Sequence, residues 1–190
     1  MHGDMLVWPM NPEQARELKA ESDAVSADAR ALVAFMNEAT LMKRPPDGGW
    51  SVAEILQHLI LTANAMLALA ETAIGELERA GRKSTSRSGL GVMGWLLVKS
   101  LEPPPRMKTK TAKPFEPVVV THPLTLVDRF VDTNKTLDAL ISRATGLATT
   151  TVKVASPFNA AVKYNVYAAV RIVPVHARRH LWQAREAKGR

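Results

Sequence analysis

His176 and His180 stand four residues apart in a late stretch that reads as helix. Their imidazoles therefore face the same side and can both reach one divalent ion. The H-x-x-x-H spacing also arises by chance, and histidine is common on surfaces, so an ordinary surface pair stays open as the alternative. His58 lies far upstream, beside an apolar helical stripe and one turn from Glu54 and Thr62. Taken alone, it fits a core histidine hydrogen-bonded to a neighbour at least as well as a ligand. The chain has no cysteine, which removes thiolate nucleophiles, thiolate metal sites and disulfides. Any metal must be held by nitrogen and oxygen.

Helices must bring these side chains together, and the sequence predicts four. Asn11, Pro12 and Gln14 form a start signal with capping-box spacing, and the helix they open should run to about Met42, where the run Arg44 to Gly49 stops it. Leu18, Val25, Leu32 and Phe35 or Met36 supply its buried face. Ser51 and Glu54 make an S-x-x-E capping box ahead of the second helix, expected to reach about Ala80. Its core stripe is Val52, Ile55, Leu56, Leu59, Ala63, Met66, Leu67 and Ala70, with His58 on the shoulder. A third helix should begin near His122-Pro123 and carry Leu126, Phe130, Leu137 and Ile141 to about Thr145. Asn165 is a plausible cap for the fourth, which follows the Ser156-Pro157-Phe158 turn and continues to about Ala187. Pro174 interrupts that helix and can bend it, either aiming His176 and His180 or as a simple packing kink. Residues 81–117 read as a long irregular crossover with one apolar piece, Val92 to Leu101, and little of the chain reads as sheet.

A length of 190 residues and a hydrophobic fraction of 46% suit one compact domain. The first residues lack the basic and apolar segments of a secretory signal, and no later run of about 20 apolar residues reads as a bilayer span, so a cytoplasmic protein with no membrane partner is the expectation. The net charge of +7 is concentrated between Arg79 and Lys113 and again from Arg178 onward. Few aromatics stand in the first segment to stack on bases, which favours a solvated basic surface over nucleic-acid binding.

The run Gly49-Trp50-Ser51-Val52-Ala53-Glu54-Ile55-Leu56-Gln57-His58-Leu59 resembles the second-helix motif of the DinB/YfiT superfamily. The run His176-Ala177-Arg178-Arg179-His180-Leu181-Trp182-Gln183 resembles its H-x-x-R-H-x-x-Q motif, and order, spacing and helical frame match over most of the chain. The loop from Gly81 to Pro117 is the least matched part. The resemblance implies an all-α, single-domain fold over residues 1–190, an up-down-down-up-like four-helix bundle with a long crossover between the second and third helices. It implies that His58, His176 and His180 bind one divalent metal, nickel or zinc foremost, with iron or manganese also compatible with three imidazoles. It further implies a metal-dependent enzyme acting on a small molecule, either a transferase using a low-molecular-weight thiol or a hydrolase, and relatives often form homodimers. The alternative class is a non-catalytic stress-response or binding protein that keeps the metal site while the basic loop contacts a partner.

Three imidazoles would leave coordination positions open, the arrangement of a working site rather than a closed structural one. Oxygen acceptors for the outward ring nitrogens are sought among Glu54, Gln57, Thr62, Asn134 and Gln183. Arg179 suits either an anionic substrate group or an ordinary salt bridge. Trp50 and Trp182 read as core or pocket wall, and Trp95 as a cover for the pocket mouth. No independent general base is evident, since His122 and Glu116 fall in or beside loop.

Overall fold

The structure, a computed structural model, describes residues 10–84, 86–104, 110–118 and 120–188. Its described part is mostly helical. In chain order the elements are α1 (Pro12–Val33), α2 (Glu38–Met42), α3 (Val52–Arg79), α4 (Gly91–Leu101), α5 (Leu126–Ala144), β1 (Lys153–Ser156), β2 (Asn159–Asn165) and α6 (Val166–Lys188). Short 3₁₀ turns at Lys113–Phe115 and Pro123–Thr125 punctuate the path between α4 and α5.

Local chemistry sets most helix starts as the sequence predicts. Asn11 and Gln14 form a reciprocal capping box on α1, and Ser51 and Glu54 form another on α3, satisfying amide donors that the first turn leaves unpaired. Asn165 Oδ1 accepts the Ala168 N–H at 2.8 Å, capping α6, while its amide nitrogen donates to the Gly89 carbonyl at 2.9 Å. The expected core stripe of α3 is buried throughout, as are Leu126, Phe130, Leu137 and Ile141 of α5.

Four expectations are corrected. The first helix ends at Val33, not near Met42, and a separate short helix follows. Asn37 causes the restart, because its side chain accepts the Thr40 N–H at 2.9 Å as a new cap; of Phe35 and Met36 it is Met36 that packs, partly buried, against the core, while Phe35 is fully exposed. The third helix starts at Leu126, since Pro123 is held in a 3₁₀ turn closed by Thr125 N–H on the His122 carbonyl. The apolar piece in the crossover is a helix, α4, seated on α6 with Gly94 and Val98 buried. Finally, β1 and β2 pair antiparallel as a hairpin around Pro157 and Phe158, with an irregularity between Ala155 and Ser156.

α1 and α3 each pack against both α5 and α6. Ion pairs and hydrogen bonds fix the register. Glu21 of α1 meets Arg171 and Arg178 of α6, and Asp28 meets Arg185 at 2.9 Å. Toward α5 the order reverses: Ser22 reaches the Asn134 carbonyl and Arg30 reaches Asp128 at 3.1 Å. Arg143 near the end of α5 bridges Glu71 and Glu78 near the end of α3. Between these helices the core forms two hydrophobic clusters, one around Ile74, Leu137 and Val170 and one around Leu56, Phe130 and Leu181. α3 is the one described helix long and apolar enough to cross a membrane by length and composition, where no such run was expected; 61% of its most apolar window is buried in the core.

Candidate metal centre

The three histidines converge where the two core clusters meet. His58 comes from the second turn of α3, and His176 and His180 come from the middle of α6. One ring nitrogen from each lies within 4.8 Å of the other two, and these are the residues able to hold a metal ion among those described. The Nε2 atoms of His176 and His180 are 3.1 Å apart. Two nitrogens on a tetrahedral zinc stand about 3.4 Å apart, given Zn–N bonds of about 2.0–2.1 Å. The α6 pair is thus already at ligand spacing, and His58 needs only a small approach.

Two of the three rings have their outward nitrogen committed. His58 Nδ1 donates to the Phe115 carbonyl oxygen at 2.7 Å, and His180 Nδ1 donates to Gln183 Oε1 at 2.9 Å. A ring proton held at Nδ1 leaves Nε2 with a lone pair, so both contacts select the tautomer that a metal ligand requires. Gln183 was among the acceptors expected from sequence. Phe115 was not, because a main-chain carbonyl leaves no mark in residue type.

Burial keeps the cluster neutral. His58 is 3% exposed and its pKa is lowered by desolvation, partly offset by the Phe115 carbonyl. His176 is held well below the usual imidazole range, first by burial and then by repulsion from His180, His58 and Arg179. His180 is pushed down to about 3 by burial and by the His58 charge, against the opposing Gln183 hydrogen bond. Protons therefore do not compete for these nitrogens near neutral pH.

Aromatic rings stand beside two of the three histidines. Trp50 lies 5.0 Å from the His58 ring, centroid to centroid, as the expected wall. Phe158, at the hairpin turn, is 6.2 Å from His176 and 4.7 Å from Phe115. Behind His176 runs a narrow apolar seam lined by Leu59, Met66, Phe130 and Val173, without room for water.

The remaining sequence candidates do other work. Glu54 closes the α3 capping box and is gripped by Arg44. Thr62 donates to the main-chain carbonyl of His58 at 2.9 Å, not to its ring. Asn134 donates to Ser26 between α1 and α5. Gln57 has a buried Oε1 with no hydrogen-bond partner and does not touch His58's ring nitrogens. Arg179 donates to the Ser100 carbonyl at 3.1 Å, tying α6 to the last turn of α4, and burial lowers its pKa. Trp182 is partly buried, and Trp95 sits on α4 with half its surface exposed. Glu116 is exposed, and the His122 carbonyl closes the turn before α5. α6 continues as one helix through the buried Pro174, two residues before His176.

A family model described as the DinB superfamily matches residues 21–184. No curated protein and no solved structure matches the chain significantly.

Proposed function

The chain belongs to the DinB superfamily, and from that premise we propose that it is a metal-dependent enzyme acting on a small molecule, with His58, His176 and His180 as the ligands of one divalent ion. The observation that carries the reading is the convergence of one ring nitrogen from each histidine, with the His58 and His180 Nδ1 protons committed to the Phe115 carbonyl and to Gln183; His180 Nε2 accepts a hydrogen bond from His176 Nε2, whose proton a metal would displace. Nickel or zinc suits an all-imidazole donor set best. The bundle is read as up-down-down-up, since the α1–α6 pairs advance together along both helices while the α1–α5 pairs advance in opposite order.

With three protein ligands, such an ion keeps positions open and polarises a carbonyl or acidifies a bound water or thiol. The protein's own groups define what can happen there. Gln183 and the Phe115 carbonyl fix ring orientation, the Trp50 and Phe158 rings pack beside His58 and His176, and the Arg179 guanidinium adds positive potential that favours an anionic attacking group. That set suits transfer from a low-molecular-weight thiol or hydrolysis of a small electrophile, in a cytoplasmic setting.

Elemental analysis of protein prepared without tag or chelator tests the ligand set. Wild type should carry about one metal per chain, and His58→Ala and His180→Ala should each lose it. A wild type that stays metal-free after attempted loading sinks the proposal. A second reading, a non-catalytic binding protein that keeps the ion, draws on α4, which exposes Val92, Trp95 and Leu96 beside the basic crossover. Turnover of thiols with electrophiles, abolished by metal removal, separates the enzyme from the binder.

A further inference from the structure

Along α3, Ala65 and Leu69 follow His58 by about two and three helical turns, and so continue the line on which His58 stands. With Ala68 they floor an open groove of about 460 Å³ whose opposite wall is the hairpin turn, residues 155–160. The groove exists because α3 places only methyl groups at 65 and 68, where longer side chains would fill the space under the hairpin. The turn is firmly built: Ser156 Oγ accepts the Phe158 N–H at 3.3 Å, Asn159 Oδ1 accepts the Ala161 N–H at 3.0 Å, and Val154 and Tyr164 are buried behind it. Phe158 lines the groove and also stands 6.2 Å from the His176 ring, so one side chain borders both spaces. None of the groove's lining residues is charged, although the chain as a whole carries +7.

We propose that this groove receives the uncharged apolar part of the substrate, lying along Ala65, Ala68 and Leu69 and against Phe158, while the reactive end of the same molecule meets the three histidines. The inference rests on the metal-enzyme reading for the second half of that statement. The groove is wide open to solvent and receives one face of a small organic molecule, the absence of lining charge selects against an ionised group at that end, and the Phe158 ring offers a flat apolar surface to a planar one. Specificity for the distal half of the substrate is then set by residues 65, 68 and 158, which hold no metal.

The probe for the test is N-phenyl-1-naphthylamine, a neutral molecule that fluoresces in apolar surroundings. Wild type should bind it saturably, and Ala68→Trp, which fills the groove from an exposed position, should weaken binding by about tenfold or more with melting temperature and metal content unchanged. Ala160→Trp fills it from the opposite wall and serves if the first variant folds poorly. His58→Ala should keep probe binding while losing metal, which separates failure of the groove from failure of the metal site. Probe bound to cobalt-loaded protein should be quenched relative to zinc-loaded protein, because the two spaces share Phe158. Equal probe affinity in wild type and both tryptophan variants, or no quenching by cobalt in protein that holds it, overturns the proposal.

Discussion

At the scale of single residues, the orientation of an imidazole matters as much as its identity. Gln183→Leu keeps all three proposed ligands but removes the acceptor that holds His180 Nδ1. Metal affinity should fall by about 10–100-fold without loss of fold, measured by competition with a calibrated chelator. Unchanged affinity would make Gln183 a bystander. The same burial predicts a pH response in the metal-free protein. His58, His176 and His180 all have lowered pKa values in the fold, whereas an unfolded chain protonates them near 6.5. Stability is complete above that value, falls as pH drops below it because the unfolded state takes up more protons, and loses the His180 share fully only near 3. Melting curves in chelator from pH 8 to pH 4 should show that decline, and His180→Gln should make it shallower; parallel curves would contradict the account. Of the residues at the site, helical spacing put His176 and His180 on one face, the resemblance of the two motifs added His58, and Gln183 stood among five candidate acceptors. Phe115 was not legible, since the group it contributes is common to every residue.

Elements were readable where their signals are local, and α3 is the clear case, with cap and apolar stripe in one continuous segment. α4 reads in the sequence only as an apolar piece of the crossover, because no side chain caps it and its seat lies 74 residues downstream, at Ala168 of α6. A Cβ built at Gly94 would stand 2.5 Å from the Ala168 Cβ, with no flexible side chain to yield. Gly94→Ala should therefore cost about 1–3 kcal/mol by prying the helices apart, despite alanine's better helix propensity. Adding Ala168→Gly should recover part of that loss. A stabilised Gly94→Ala in urea unfolding would show that α4 does not sit tightly on α6. The hairpin was missed for a related reason: residues 159–163 are mostly exposed and lack the alternating apolar pattern of a half-buried strand, so their pairing depends on Val154 and Tyr164 finding the core.

Across the whole molecule, the excess of basic charge falls mostly in one stretch of the chain. The stretch from Arg79 to Lys113 holds nine basic residues against one acidic, leaving the remainder of the chain close to neutral. The proposed ion would be the feature that joins distant parts. At a hundredfold excess over its dissociation constant, a ligand of the folded state alone adds about 2.7 kcal/mol of stability. Zinc should therefore raise the melting temperature of wild type and leave His180→Ala unmoved. The sequence distance across the site has a kinetic meaning as well. His58 and His176 are separated by most of the chain, and contacts between such distant partners close late, after loop entropy has been overcome. A coloured ion supplied during refolding would then act as a clock for the final step: helical signal should develop first, and the cobalt absorption band should appear only when α6 docks against α3.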